Sequence, residues 1–284
     1  MLSFKRILLI TSNGRKLSQK GLGNFAAQRK IKDNENTKPK MPKLVIFDKD
    51  GTLICFHSMW VPWALEVSNR VCMRMNMDLS SAILQELGIC PVRRLVRPGL
   101  LAEGTMDQIN QMLTGLVVRS SGIESNQARS IVDQCTAGGD TATKNSIKTI
   151  GDIREMFEKL QQHNTKLAIC TMDKRDNTVY TLEKLQLGKY IDYVFCCDDK
   201  GFVPKPHPDN AWKICKDLRI DPTDAIMVGD TKADINMALS AGLGSAVGVL
   251  SGVGCSDYLA NANMLLDKAT DLVDIFYGSA QQSC

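Results

Sequence analysis

Two aspartates, Asp48 and Asp50, leave the apolar run Lys43–Phe47 two positions apart. Alternate residues of an extended chain point the same way, so both carboxylates can aim at one small volume. Gly51 then frees the backbone for a tight turn, and Thr52 adds a hydroxyl that is a candidate phosphate contact. Such a pair can divide a phosphoryl transfer between its members. One carboxylate attacks phosphorus, while the other protonates the leaving oxygen and later takes a proton from water. An Asp/Gly turn is also an ordinary way to end a strand, so the pair alone leaves a structural reading open.

A second acidic site lies far along the chain. Gly229-Asp230-Thr231-Lys232-Ala233-Asp234 sets two carboxylates four residues apart where an apolar run passes into a helical pattern. Acids there also suit the helix dipole, yet a few carboxylates with phosphate and water are what Mg²⁺ requires. Asp48, Asp230 and Asp234 are therefore candidate Mg²⁺ ligands. Phosphate charge must be met as well. Thr171 closes another apolar run, so its hydroxyl and the Met172 amide are candidate phosphate contacts. Lys205, in Val-Pro-Lys-Pro-His-Pro, is a cation on a proline-stiffened loop and a candidate partner for nucleophile and phosphoryl group.

These residues need a frame that brings them together. Lys43–Phe47, Lys166–Cys170, Asp192–Cys197, Asp224–Val228 and Ser245–Val249 are short, continuous apolar runs, several of which end in acids or Thr. Runs of this kind between helical patterns indicate parallel strands buried on both faces. The helical patterns are legible too. Ile153, Met156, Phe157 and Leu160 recur at i, i+3, i+4 and i+7 behind Asp152 as cap. Thr178–Leu187, Pro208–Leu218 and Ala233–Ala241, the last closed by Gly242, read the same way. Strand–helix alternation predicts an α/β fold, a doubly wound parallel sheet with right-handed crossovers. In such sheets sites form beyond the C-terminal strand ends, where Asp48, Thr171 and Asp230 all fall.

Residues 58–145 interrupt the alternation. Trp60, Trp63, Val67, Val71 and Met75 at helical spacings are followed by Ser80–Leu87 and Met106–Val118, the last headed by a Thr105/Gln108 capping box. No strand pattern stands out, so this segment is expected to be a helical insertion and a candidate lid, with residues 41–57 and 146–284 forming the core. Arg93, Arg94 and Arg97 could meet an anionic substrate end when the lid closes, or form an exposed basic face. Trp60 and Trp63 could wall the pocket or simply fill the insertion's own core.

Composition narrows the class. The chain of 284 residues carries a net charge of +4, but residues 1–40 contribute +8 and the remainder −4. The basic character thus belongs to the leader, and nucleic-acid binding gains no support. No apolar run approaches the roughly 20 residues of a membrane-spanning helix. The leader has no acid before Asp33 and eight basic residues by Lys32. It reads either as a mitochondrial presequence, placing the protein in the matrix, or as a disordered basic tail on a cytoplasmic protein. The two differ measurably, because a cleaved presequence leaves a mature chain without Met1. None of the ten cysteines forms a C-x-x-C pair, and several sit in or beside strand-like runs, as buried reduced thiols do. His57, His163 and His207 form no metal-binding pattern.

Asp48-x-Asp50-Gly51-Thr52, Thr171 at a strand end, Lys205-Pro206 and Gly229-Asp230-x-x-x-Asp234 resemble, in order, the four motifs of the haloacid dehalogenase-like superfamily. Residues Gly242–Gly252 resemble the segment that follows the fourth motif. The resemblance implies a Rossmann-like core with Asp48 as nucleophile and Asp50 as general acid and base. It implies Mg²⁺ held by Asp48, the Asp50 carbonyl and Asp230, with Asp234 in support, and phosphate bound by Thr171 and Lys205. Dehalogenase and phosphonate-hydrolase members lack the second aspartate, so Asp50 implies phosphate esters. About 120 residues separate the first two motifs against about 34 between the second and third, which is the position of the C1 helical cap. The style of the motifs is nearest the phosphoglycolate phosphatase-like branch, which also holds β-phosphoglucomutases, although the Asn that often follows the motif-two Thr is here Met172. A phosphatase for a small phosphorylated metabolite, 2-phosphoglycolate first among them, is expected. A phosphotransferase or mutase of the same fold is the alternative, and a catalytically silent binding protein a third. The oligomeric state is not legible.

Overall fold

A computed structural model describes residues 41–90, 95–137 and 147–277. The leader, Arg93 and Arg94 lie outside the described residues. Strands β1 (Leu44–Phe47), β4 (Lys166–Cys170), β5 (Tyr193–Phe195), β6 (Ala225–Gly229), β7 (Ser245–Val249) and β8 (Met264–Leu266) form a six-stranded sheet. Every neighbouring pair is parallel, in the order β5-β4-β1-β6-β7-β8. Strand β1 is flanked by β4 and β6, and the winding reverses about it, which makes its C-terminal end the switch point where a doubly wound sheet opens a crevice.

Alternation along β1 divides the core. Val45 and Phe47 face a layer that includes Met156, Phe157 and Leu160 of α6 (Ile153–Gln162) and Leu182 of α7 (Arg175–Lys184), with Leu272 of α10 (Leu272–Tyr277). Leu44 and Ile46 face Ile214 and Cys215 of α8 (Asp209–Leu218) and Ile235 and Ala238 of α9 (Lys232–Ala241). Helices on both faces leave β1 with no exposed side chain. Asp152 caps α6 by accepting from the Glu155 amide, and Gly242 ends α9 in a left-handed conformation, both as anticipated.

The insertion leaves and rejoins the core through paired backbone. Gly51 and Cys55 amides donate to Ile54 and Lys148 carbonyls, and Ile150 donates to Leu53. Between these points run α1 (Phe56–Met75), α2 (Ser80–Glu86), α3 (Leu100–Glu103), α4 (Met106–Ser121) and α5 (Ser125–Thr136). They enclose a core of their own, including Trp63, Val67, Ile83, Ile109, Leu113 and Val132. The expectation of an insertion without strands needs correcting. A two-residue ribbon, β2 (Ile89–Cys90) paired antiparallel to β3 (Leu95–Val96), links α2 to α3. Strands so short show no periodicity in sequence. Strand β8 and helix α5 are further elements that the sequence pattern does not mark, and the helix expected over Thr178–Leu187 runs over Arg175–Lys184. No helix among the described residues is long and apolar enough to cross a membrane. The described cysteines are free thiols, and burial lifts those of Cys170 and Cys196 well above the usual range, to about 12 and about 11.

Candidate active site

The first residue beyond β1 is Asp48, whose amide donates to the Val228 carbonyl of β6 at 2.9 Å, so the sheet itself fixes the start of the turn. Gly51 takes φ +95°, and a side chain there would overlap the Asp230 carboxylate. Gly252, in the loop after β7, is pressed against the same carboxylate. Two close backbone approaches therefore seat Asp230, which is fully buried and accepts the Val253 amide at 2.8 Å.

Lys205 reaches into this group from the loop before α8. Its Nζ donates to Asp48 Oδ1 at 2.7 Å, Asp234 Oδ1 at 2.6 Å and the Cys170 carbonyl at 3.2 Å. Burial works against charge on this lysine, but Asp234 and Asp48 override it and hold its pKa well above the ordinary value. Asp234 spends its other oxygen on the cap of α9, where Oδ2 accepts from the Thr231 amide and hydroxyl. Asp48, Asp230 and Asp234 each bring a carboxylate oxygen to within 4.8 Å of one another. Burial raises Asp48 to about 7, with Lys205 opposing and Asp234 adding to the shift. Burial likewise raises Asp230 well above the carboxylate range, with Asp48 next in effect.

This donor set fits a hard divalent cation. The three buried carboxylates meet a single lysine among the described residues, which leaves excess negative charge. Asp230 Oδ1 is buried with no hydrogen-bond partner. An oxygen so placed, beside a second carboxylate, is what Mg²⁺ binding uses.

The remaining expected residues divide. Thr171 and Met172 line a cavity of about 50 Å³ together with Asp48, Asp50 and Lys205, so the β1, β4 and Lys205 contributions do converge. Thr171 Oγ1 accepts the Asp173 amide at 3.1 Å, which fixes the turn after β4. Thr52 is fully buried in the Gly51 turn, is not among the cavity-lining residues, and its hydroxyl has no partner. Arg97 is exposed and does not line the cavity. Trp60 lines it, whereas Trp63 belongs to the insertion's core. The insertion's side of the cavity is mainly apolar, from Phe56, Trp60, Leu101, Met106 and Ile109, with one acid, Glu103, that accepts from the Tyr258 hydroxyl of the core.

Two residues at the site were not foreseen. Lys49 is 1% exposed, and its Nζ lies 2.6 Å from Asp50 Oδ1 and 3.0 Å from Asp173 Oδ2. Burial acts to lower the Lys49 pKa, and the Asp50 and Asp173 carboxylates more than reverse this. Burial raises Asp50 in turn, with Lys49 the main opposing influence. The available signal was a lysine inside a turn whose other members are small, acidic or apolar.

Comparison with known proteins agrees with this geometry. Residues 42–242 match the family model described as haloacid dehalogenase-like hydrolase. Pyrophosphatase PpaX of Bacillus velezensis is 26% identical over 156 residues, 55% of this chain and 72% of that protein. The Bacillus thuringiensis protein of the same name is 31% identical over 124 residues, 43% of this chain and 57% of its own. Across the first of these relatives the alignments span 42 to 72% of their length. The crystal structure of a predicted phosphoglycolate phosphatase from Haemophilus somnus superposes with a TM-score of 0.63 at 17% identity, covering 83% of this chain and 98% of that one. A hydrolase from Pseudomonas syringae gives 0.56 at 20% identity, covering 81% and 95%. At these identities the likeness establishes the fold.

Proposed function

The chain belongs to the haloacid dehalogenase-like hydrolase family, and we propose that it is a Mg²⁺-dependent phosphatase acting on a small phosphorylated metabolite. The observation that carries this reading is Asp48, aligned by β1, bonded to Lys205 and sharing a cavity with Asp50 and Thr171. Asp48 attacks phosphorus, and the bond from phosphorus to the ester oxygen breaks. The electron pair stays on that oxygen, which takes a proton from Asp50, leaving an aspartyl phosphate on Asp48. Water then attacks the same phosphorus and gives its proton to Asp50. The electron pair of the breaking P–O bond returns to the Asp48 carboxylate.

Lys205 and the Thr171–Met172 turn meet the equatorial oxygens and orient the phosphoryl group. Asp48 and Asp230 are the residues that would hold Mg²⁺, with the Asp50 carbonyl completing the set and Asp234 in support through Lys205. When bound, the ion supplies positive charge against the phosphoryl oxygens. A cavity of about 50 Å³ has room for a few waters, so it suits a small substrate and limits the access of bulk solvent to the reacting atoms.

Among substrates, 2-phosphoglycolate is the first to test, on the style of the motifs. Its carboxylate would need a counter-charge that the described apolar wall and Glu103 do not provide. A phosphomutase of the same fold is the second reading, since the insertion sets an apolar wall of Phe56, Trp60, Leu101, Met106 and Ile109 over the site. The test is a panel of 2-phosphoglycolate, glycerol 3-phosphate, β-glucose 1-phosphate, pyrophosphate and 2,4-dinitrophenyl phosphate with Mg²⁺ present. Release of inorganic phosphate is expected from at least one alkyl ester. Transfer to a second sugar without release would favour the mutase. Silence across the panel from a folded, Mg²⁺-loaded protein would leave a binding role.

Metal binding has a readout that needs no substrate. A carboxyl raised on folding stabilises the fold below its unfolded pKa of 3.8 and loses that contribution as pH climbs through the folded value, about 7 for Asp48. The metal-free protein should therefore lose stability between pH 4 and pH 8, and Mg²⁺ should restore it. At a hundredfold excess over Kd the gain is about 3 kcal/mol, read as a rise in Tm that is larger at pH 8 than at pH 5. Asp230→Asn should remove most of that rise. An undiminished rise in Asp230→Asn would place the ion elsewhere.

A further inference from the structure

Lys49 stands between the two aspartates of the first motif, yet it does not line the cavity. Its ammonium is buried behind the site and bridges Asp50 Oδ1 at 2.6 Å to Asp173 Oδ2 at 3.0 Å. Asp173 is itself anchored. Its Oδ1 accepts from the Lys174 amide at 2.8 Å and from Asn177 Nδ2 at 2.9 Å, and its own amide donates to Thr171 Oγ1. A line of contacts thus runs from the head of α7 through Asp173 and Lys49 to one oxygen of Asp50. Burying a lysine is costly unless it is paired, and this one is paired on both sides. A long side chain tied at both ends restricts the Asp50 carboxylate far more than a solvated neighbour would.

We propose that Lys49, anchored by Asp173, is a positioning residue that holds the Asp50 carboxylate in line with the leaving-group oxygen, and so ties the general acid to the turn that presents Thr171. The inference rests on the reading of Asp50 as general acid and base. One oxygen of Asp50 is bonded to Lys49, which leaves the other to exchange the proton. The same geometry serves both half-reactions: a proton passes from Asp50 to the leaving oxygen in the first, and from water to Asp50 in the second.

Misplacing the acid has a signature that loss of charge or of fold does not share. An alkoxide leaves only when protonated, whereas 2,4-dinitrophenolate leaves unaided. Lys49→Met should lower kcat about 100-fold on the fastest alkyl phosphate of the panel, the scale of lost general acid catalysis, with KM changed less than about threefold. With 2,4-dinitrophenyl phosphate the same variant should release a burst of about one equivalent of dinitrophenolate per enzyme, within about fivefold of the wild-type rate, because attack by Asp48 is intact. Slow steady turnover should follow, since water still needs Asp50. Lys49→Arg should recover a large part of the alkyl activity. If Lys49→Met does not fold, Lys49→Met/Asp173→Asn, which removes one charge of each sign, should give the same burst.

A burst reduced by the same factor as alkyl turnover would overturn the proposal, since it would mean that Lys49 serves Asp48 or the fold in general. Wild-type alkyl turnover in Lys49→Met would also overturn it. Asp50→Asn is the control for the underlying reading. If that variant keeps alkyl turnover, Asp50 is not the acid and the failure lies there and not with Lys49.

Discussion

Asp48→Asn will abolish turnover while leaving the fold at least as stable as wild type. The loss expected for removal of a nucleophile is on the order of 10⁴- to 10⁶-fold in kcat. No phosphoenzyme should form, even with 2,4-dinitrophenyl phosphate, which needs no acid. The effect on stability has the opposite sign from that of most substitutions in a buried site. Asp48 is 7% exposed, and burial lifts its pKa to about 7, so its ionised form is a burden on the metal-free fold. An amide removes that burden and keeps an oxygen for Lys205. Initial rates and thermal melts on the same metal-free and Mg²⁺-loaded samples separate the two effects. Wild-type turnover in the variant would place the nucleophile elsewhere, and a fall in the metal-free Tm would contradict the electrostatic account.

The second large effect is expected at Lys205, with the balance reversed. Its Nζ is bonded to two carboxylates at 2.7 and 2.6 Å with the third of the group close by. Lys205→Met removes the cation and leaves the acids facing one another in a buried site. Breaking a buried pair from one side costs about 3–5 kcal/mol. Activity should fall as well, by about 10²–10³-fold, since a fixed positive charge at the phosphoryl group is lost. The cause can be isolated by a cycle. Asp234→Asn, combined with Lys205→Met, should recover much of the lost stability, because Asp234 then no longer contributes an unpaired charge. It should recover little activity. If the double variant is as unstable as Lys205→Met, the destabilisation comes from lost packing of the lysine stem and not from unpaired carboxylates. Mg²⁺ should lessen the deficit of Lys205→Met, since it meets the same excess charge.

Much of the candidate site was legible because its residues fall at strand ends. The Lys43–Phe47, Lys166–Cys170 and Asp224–Val228 runs correspond closely to β1, β4 and β6, and the turn after each begins with Asp48, Thr171 and Asp230. An apolar β-branched run states its own burial, and a parallel sheet then brings the ends of its strands to one edge. Thr52 was harder to place. Its spacing resembles that of a phosphate ligand, but the turn that Gly51 makes at φ +95° buries it away from the cavity. Arg97 offered charge in the right segment, yet the short ribbon before it leaves that side chain at the surface. The two-residue strands show no period, and β8 lacks the longer apolar run that marks the equally short β5 at Asp192–Cys197.

Residue order and type alone determined the α/β alternation, the place of the insertion and the carboxylates, Thr171 and Lys205 that meet at the candidate site. These are local properties, in which apolar periodicity, capping residues and turn formers act on neighbours within a few positions. Only the tertiary structure decided how the charges are apportioned. It gave Asp48 to Lys205, 157 residues away, set the Val253 amide and two glycines around Asp230, and joined Lys49 to Asp173 behind Asp50. Nothing local ranks one buried lysine or acid against another. Their pairing follows from which turns the packed sheet brings within 3 Å, and in a buried site that distance settles which carboxylate is held by which lysine.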